Sequence, residues 1–338
     1  MLSSCPYPLR HDVPTQPRYT TKEEPPMILK RIFDPRKVLA YVRFELLLAL
    51  AWSFIVYALY EGLGIKNITL PIALLGAYGT ALAIFLAFRN TTSFARWGEG
   101  SQAWSGISNY SRIFSRLIIT FTDSHAHQAQ YQAERSEAFK QRMIYRHLAW
   151  VNALRMQLRG QDDWASLRPF LSDDEHQALL PRANKANVLL LWQGRDIYNA
   201  MANGTLQGFD SFQLEGCMTQ FGAFQATCER IKSIPVPRQY DYFTRLFVRV
   251  FILLLPLVLI RSLAGESLAL MVVPISLLLT FVFAIVEKVG VVNEDPFENR
   301  ITDVPMSAIS RKIERDAREL LAEDSLPPAL EPQDGYLF

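Results

Sequence analysis

The chain has 338 residues, of which 50% are hydrophobic and 20% are charged, and its formal net charge is +2. This composition is too polar for a protein that lies wholly in a membrane, while several segments are too apolar for an ordinary soluble domain. The basic residues form no run interleaved with aromatic residues, so we expect no nucleic acid to bind. The three cysteines, Cys5, Cys217 and Cys228, form no CxxC pair, which argues against a disulfide framework or a zinc site.

The N-terminal segment differs from the rest of the chain in composition. Residues 1–27 contain six prolines and charges of both signs, but no apolar core. They lack the pattern of a secretory signal, and we predict a disordered cytosolic arm.

Four apolar segments predict membrane-spanning helices, because about 20 apolar residues cross a bilayer core and a helix satisfies its own backbone hydrogen bonds. Residues 67–88 and 268–286 carry no charged side chain. Residues 38–60 and 242–263 reach the required length only if they include charged residues near one end, whose side chains can extend to the headgroups. The alternative is that these two segments are buried helices of a soluble domain.

Lysine and arginine residues mark one end of every predicted span. The short loops 61–66 and 264–267 contain only one basic residue between them. The positive-inside rule therefore predicts cytosolic termini and a cytosolic middle segment, in a multi-pass protein of the plasma membrane, which is the inner membrane in a bacterium. The flanking residues are Lys30, Arg31, Arg36, Lys37, Arg89, Arg96, Arg238 and Lys288.

The middle segment, residues 89–238, shows helical periodicity and no alternating strand pattern. Ser172 and Glu175 predict a capping box, and Asn203-Gly204 predicts a helix stop. The predicted helices cover residues 105–121, 136–159, 185–202, 210–233 and, near the C-terminus, 308–322.

The sequence contains little that suggests an enzyme. His125 and His127 flank Ala126, but a solvated linker is favoured over a metal site because no further ligands accompany them. No P-loop, GxSxG or HExxH element is present, so we predict no catalytic residues, no metal and no cofactor.

Three motifs resemble those of a known family. Residues 88–100, FRNTTSFARWGEG, are similar to the signature FRNNxSYDRWWEGR that follows the second span in bacterial bestrophins. The elements IPVP at 234–237, DPFE at 295–298 and DVP at 303–305 resemble the family's IPxP and NPFG…DxP segments. The matching motif positions are Arg89, Asn90, Arg96, Trp97, Glu99, Pro235, Pro237, Pro296, Phe297, Asp303 and Pro305, and the departures are Ala95, Gly98, Asp295 and Glu298.

The resemblance implies an all-α membrane protein with four transmembrane helices per subunit and a helical cytosolic domain, assembled as a homopentamer around one axial pore. It implies passive conduction of monovalent ions, with chloride-type anions first and monovalent cations as the alternative. A non-conducting membrane scaffold or receptor is the alternative from another class. Calcium activation of the animal kind is not expected, because Arg300 lies within the corresponding acidic segment.

These arguments divide the chain into six segments. Residues 28–104 carry the first two spans and the motif, 105–237 the cytosolic helices, and 238–290 the last two spans. Residues 291–323 form a C-terminal cytosolic segment, and 324–338 a flexible tail.

In the family the second span lines an apolar neck. We assign the neck to Ala77, Ala81 and Phe85, at i, i+4 and i+8. Ile84 and Phe88 form the neighbouring face, which is the alternative. Small side chains on this span also suit simple helix packing.

Two further predictions concern a second constriction of the pore and an acidic residue in the first span. The family's second, cytosolic constriction is assigned to Leu206, with Gln207 and Phe209 as rivals. Glu45, a carboxylate inside the first predicted span, needs a basic partner such as Arg43 or Arg89.

Overall fold

The computed structural model describes residues 27–28, 35–128, 131–265, 268–300, 302–330 and 336–337. Apart from Met27, the predicted N-terminal arm lies outside these residues. The described helices are α1 (Pro35–Tyr41), α2 (Arg43–Tyr57), α3 (Ile72–Ser124), α4 (Ala133–Arg159), α5 (Asp173–Leu179), α6 (Lys185–Ala202), α7 (Gly208–Ser233), α8 (Arg238–Gly265), α9 (Val272–Asn293) and α10 (Met306–Leu320). One antiparallel ladder of two residues per strand joins β1 (Met27–Ile28) to β2 (Tyr336–Leu337).

The chain divides into two compact units. Unit 1 comprises Met1–Leu29, Gly100–Lys232 and Phe297–Phe338, and unit 2 comprises Lys30–Glu99 and Ser233–Pro296. Helix α3 is continuous and contributes residues to both units.

Among the described residues, four helical segments are long and apolar enough to cross a membrane. Each overlaps one of the predicted spans. They are Arg43–Gly62, Lys66–Ser124, Arg238–Ala264 and Ala269–Asn293. The first differs most from its prediction, because a break at Val42 separates α1 from α2.

Unit 2 is built from α2, α8, α9 and the first part of α3. Pro256 lies inside α8 and removes a backbone donor there. Carbonyl groups of α8 accept hydrogen bonds from other segments of unit 2, namely from the Tyr78 hydroxyl at 3.0 Å, the Trp52 indole at 2.9 Å and the Leu70 N–H at 3.0 Å. These bonds tie α8 to its neighbours on both sides of Pro256, because the acceptors are the carbonyls of Phe247, Leu253 and Leu257.

Unit 1 is a helical body with its own core. The predicted capping box is confirmed: the Glu175 N–H donates to the Ser172 hydroxyl, and the Ser172 N–H donates to the Glu175 carboxylate. His147 is fully buried beside Trp150 and Phe221, with 2.8 Å between its Nε2 and the Ser111 hydroxyl. Burial lowers the His147 pKa to about 3, so the imidazole is a neutral core group.

The predicted flexible tail is tethered over part of its length. Arg311, Arg315 and Arg318, spaced along one face of α10, donate to the carbonyl groups of residues 328, 327 and 325 respectively. Arg318 also pairs with Glu323 at 2.6 Å. The segment 325–328 therefore lies along α10, although it has no regular secondary structure.

Asp303 lies in the turn before α10 and is almost completely buried. Its Oδ2 accepts from the Arg300 N–H at 3.1 Å, whereas its Oδ1 is buried without a protein partner. Burial raises the Asp303 pKa to about 6, and the Arg300 N–H offsets this effect only in part. An ionised carboxylate is therefore costly at this position.

We predict that Asp303→Asn stabilises the protein near neutral pH. Because the folded-state pKa is raised, the folded chain holds the extra proton more tightly, and stability falls as pH rises from about 4 to about 6. Above that range the penalty is roughly 2–3 kcal/mol, which the asparagine variant avoids. Thermal unfolding of both proteins at about pH 4 and about pH 7 checks this, with Asp316→Asn, a partly exposed change on α10, as the control. If the unfolding temperatures of Asp303→Asn and the parent differ by the same amount at both pH values, the prediction is contradicted.

Candidate functional site

A buried arginine on α3 organises the motif region. The Arg89 side chain is only 3% exposed, and its Nη2 lies 2.9 Å from the Asp241 carboxylate on α8. Its Nη1 lies 3.7 Å from the carboxylate of Glu287 on α9, and its Nη2 lies 3.6 Å from that of Glu294, the next residue after α9. One guanidinium thus faces three carboxylates, and a charge this deeply buried is tolerated only because it is paired.

The ion pairs continue beyond Arg89. Asp241 is shared with Arg245, one turn further along α8. Lys288 on α9 lies 3.3 Å from Glu45 and 3.7 Å from Glu287. The partner of Glu45 is therefore Lys288, and not the expected Arg43 or Arg89, because α9 packs against α2 and brings its lysine to the carboxylate.

Asn90 and Arg96 also connect α3 to the end of α9. The Asn90 amide donates to the Val286 carbonyl at 2.9 Å, and Arg96 Nε donates to the Glu294 carbonyl at 2.8 Å. A Cβ at Gly290 would collide with the Asn90 side chain, so only glycine allows this close approach. Burial raises the Glu294 pKa, and the neighbouring Arg89 charge counteracts that rise.

The remaining motif positions pack more simply. Trp97 stacks on Phe94, with ring centroids 5.8 Å apart. Pro237 precedes α8, and its carbonyl accepts from the Tyr240 N–H at 3.0 Å. Phe297 is buried, and Pro305 precedes α10. The ion pairs of Arg89 all lie within its own chain.

Helix α3 has one packed face and one exposed face in unit 2. Leu82, Leu86 and Arg89 are buried against the other helices. Ile84 is 52% exposed and Phe88 is 71% exposed, and Ala77 and Ala81 are exposed on the same side. Positions 77, 81, 84 and 88 follow the 4, 3, 4 spacing that keeps residues on one helix face.

Phe85 does not belong to that exposed face. It is half-buried, stacks on Tyr240 with centroids 6.1 Å apart, and contacts Phe247 edge to face at 5.5 Å. Each step of four residues advances about 40° around a helix, so a stripe at i, i+4 and i+8 drifts by about 80°. The predicted stripe therefore begins on the exposed face at Ala77 and Ala81 and ends in the subunit at Phe85.

The turn between α6 and α7 and the first residues of α7 carry Leu206 and Phe209, which differ in exposure. Leu206 is only 1% exposed, and its N–H donates to the Ala200 carbonyl at 3.0 Å, so it anchors the turn inside unit 1. Phe209, the second residue of α7, is 67% exposed and contacts Phe121 edge to face. Of the predicted candidates, Phe209 is therefore an exposed aromatic residue, whereas Leu206 cannot face an open path from its buried position.

Asp210 holds this turn in place. Its Oδ2 accepts from the Gln207 N–H at 2.9 Å and lies 2.6 Å from His125 Nε2. His125 thus has a carboxylate partner, which explains its position without a metal. In the part of the chain that the structure describes, no group of three His, Cys, Asp or Glu side chains is arranged to hold a metal ion.

Sequence reasoning missed the acidic partners of Arg89. Asp241, Glu287 and Glu294 each lie near the same end of an apolar segment as Arg89 does. Acidic and basic residues at the same ends of different spans were therefore the sequence feature that indicated an ion-pair network. Sequence spacing does not reveal which of them meet.

We predict that Arg89→Met destabilises the protein by about 3–5 kcal/mol, because it leaves three buried or partly buried carboxylates without their shared cation. Arg245→Met, which removes an exposed partner of the same Asp241, should cost less than about 1 kcal/mol. Thermal unfolding of the detergent-purified proteins measures both, and adding Glu287→Gln to Arg89→Met should recover part of the loss. Equal unfolding temperatures for Arg89→Met and the parent would count against this network.

Comparison with known proteins identifies the family. Residues 21–319 match the family model described as Bacterial/Fungal Bestrophin protein. The voltage-dependent anion channel-forming protein YneE of Escherichia coli K12 is 29% identical over 312 residues, which cover 91% of this chain and 96% of YneE. A similarly named protein of Mesorhizobium japonicum, mll4386, is 28% identical over 276 residues, which cover 82% of each chain.

Solved structures agree with the sequence comparisons. A bacterial bestrophin homolog from Klebsiella pneumoniae superposes with a TM-score of 0.73 at 26% identity, covering 84% of this chain and 100% of that one. A variant of that homolog with one substitution gives a TM-score of 0.74 at 27% identity, covering 85% and 98%. These relatives are ion-channel proteins and not enzymes, and the present chain is an integral membrane protein with the same fold. The chain belongs to the bacterial and fungal bestrophin family.

Proposed function

We propose that the protein is a passive anion channel in which a ring of identical subunits surrounds one axial pore and the exposed face of α3 lines its neck. The observation that carries this proposal is the presence of Ile84 and Phe88, large and exposed, on a helix that is packed only on its opposite face. The names of the relatives, which are anion channel-forming proteins, support the choice of anions.

Self-association follows from the two faces of α3. Among the residues that the structure describes, none covers Ile84, Phe88, Ala77 or Ala81, and all four are exposed. The exposed surface continues over small residues, which allow a helix from a second copy to approach closely. These residues are Gly76, Thr80, Ala83 and Ala87. In a closed ring of identical subunits, every subunit would then present its α3 to the symmetry axis. The family resemblance supports five copies.

The exposed face of α3 is apolar even where the sequence has threonine. The hydroxyl groups of Thr80, Thr91 and Thr92 donate to the carbonyl groups four residues earlier, at 2.8, 2.9 and 3.0 Å. Their polar hydrogens are thereby used within the helix. A neck formed by this surface presents hydrocarbon to the ion and gates by dewetting.

We propose Ile84 and Phe88 as the narrowest ring, with Ala77 and Ala81 on the same face. Phe85 does not line the neck, because it packs inside the subunit against Tyr240 and Phe247. The sign of the permeant ion is then set outside the neck, because no charged side chain lies on this part of the face.

For the second constriction we propose Phe209, which replaces Leu206 in our assignment. It opens α7 in an exposed position, and the Asp210 contacts with Gln207 and His125 fix the turn that presents it. A bulky apolar residue held on a rigid turn suits a size-limiting ring.

The proposed location is the plasma membrane, the inner membrane in a bacterium, with both termini cytosolic. The basic residues at the ends of all four candidate spans support this orientation.

Ion flux into liposomes tests the neck. We predict that Ile84→Ala and Phe88→Ala raise chloride flux, because they widen and wet an apolar constriction, and that Ala81→Trp reduces it. A fall of about 1.4 kcal/mol in the barrier corresponds to a flux about tenfold higher.

Phe85→Ala is the matched control, since it shortens the adjacent aromatic residue that points into the subunit. Phe209→Ala should raise flux independently of Ile84→Ala.

The same preparations decide the competing possibilities. Reversal potentials in asymmetric salt that follow the cation gradient would replace the anion assignment by monovalent-cation conduction. No leak above empty vesicles from the parent protein and from Ile84→Ala would instead favour a membrane scaffold. A flux increase in Phe85→Ala without one in Ile84→Ala would reject the proposed face.

A further inference from the structure

A row of exposed residues runs along α8. Tyr242, Leu246, Arg249 and Leu253 follow the i, i+4, i+7 and i+11 spacing of one helix face, and all four are exposed. Arg249 lies within the candidate span Arg238–Ala264. Among the residues that the structure describes, none forms an ion pair or hydrogen bond with it.

This row lies on the side of α8 away from α3. The aromatic contacts of α8 with α3 are made by Tyr240, Phe247 and Phe251, which meet Phe85 and Tyr78. Those three residues lie on the opposite side of α8 from Arg249 by helical spacing. If α3 faces the pore, Arg249 faces away from it, toward lipid or another copy.

The depth of Arg249 in the bilayer determines which charged groups its side chain can reach. If a hydrocarbon core about 30 Å thick ends near Ala264, its other boundary falls about 20 residues earlier, near Arg245. The Arg249 backbone is then about 6 Å inside that boundary, a distance that the arginine side chain can span to the headgroups. An arginine left among acyl chains at this depth would be costly, so it requires an anionic partner.

The carboxylates near this depth are already occupied. Asp241 pairs with Arg89 and Arg245, and Lys288 pairs with Glu45 and Glu287. A second copy would present the same carboxylates with the same partners. Within the described part of unit 2, the ion pairs therefore leave no carboxylate at this level to serve Arg249, in its own subunit or in a neighbouring one.

We propose that Arg249 binds the phosphate of an anionic phospholipid, with Arg245 one turn nearer the headgroups as a second cation. A guanidinium suits this role because it donates two parallel hydrogen bonds to phosphate oxygens. The acyl chains lie along Leu246 and Leu253, and Tyr242 lies at the interface between hydrocarbon and water. This inference rests on the proposed arrangement, in which α3 faces the axis, but not on conduction, so a lipid-binding measurement tests it separately from ion flux.

Lipid binding to the full-length protein tests this site. Native mass spectrometry with added phosphatidylglycerol or phosphatidylcholine measures the preference for the anionic lipid. One interfacial arginine contributes about 1 kcal/mol of attraction, so Arg249→Gln should reduce that preference about fivefold. Arg249→Lys should retain much of it, and Arg195→Gln, an exposed arginine on α6 in unit 1, should leave it unchanged.

Each other outcome contradicts the proposal. An unchanged preference in Arg249→Gln would remove Arg249 from the lipid site. A loss of oligomer mass in Arg249→Gln, with the lipid preference intact, would show that the arginine binds a second copy. Competition by millimolar inorganic phosphate would indicate a site for the free ion. Because Arg249 is exposed, folding should be preserved, and retention of the lipid preference in Arg249→Lys provides the second check.

Discussion

The buried guanidinium of Arg89 fixes the arrangement of the membrane-embedded unit. A cation on α3 that is 3% exposed must meet its counter-charges from α8 and from the end of α9, and only one rotation of α3 about its own axis allows this. The Asn90 and Arg96 hydrogen bonds to the end of α9 enforce the same rotation. Removing two buried charges together can be harmless to stability, whereas removing one leaves an uncompensated buried charge.

Once this rotation of α3 is set, the chemistry of its free face follows. The Arg89 guanidinium and the Asn90 amide point into the subunit. The threonine hydroxyls on the exposed side of α3 donate to carbonyl groups of the same helix. What remains exposed is hydrocarbon at Ile84 and Phe88. The same division applies to α8, whose inner side packs against α3 and whose outer side carries Arg249. In the channel that we propose, the free face of α3 lines the water-filled path and the outer side of α8 faces lipid.

Much of the fold was accessible from the sequence, because length, hydropathy and capping residues are local properties. The bounds of α6 match the prediction, and the capping box at Ser172 is confirmed. The sequence was less informative where partners distant in the chain decide which residues meet. Glu45 meets Lys288, 243 positions later, and no spacing rule connects them. Leu206 and Phe209 are both apolar turn residues, and only packing shows that the first is buried. Phe85 packs inside the subunit, away from Ala77 and Ala81, because a strict four-residue step drifts around the helix.

The orientation of α3 is the central claim, and the aqueous reactivity of single cysteines tests it most directly. Ile84→Cys, Phe88→Cys, Phe85→Cys and Leu82→Cys would be compared in reconstituted protein with Cys5→Ser, since Cys217 and Cys228 are buried. A membrane-impermeant thiol reagent should modify positions 84 and 88 and block flux, while positions 85 and 82 stay protected. Rapid modification at 82 or 85, with 84 and 88 unreactive, would contradict the account.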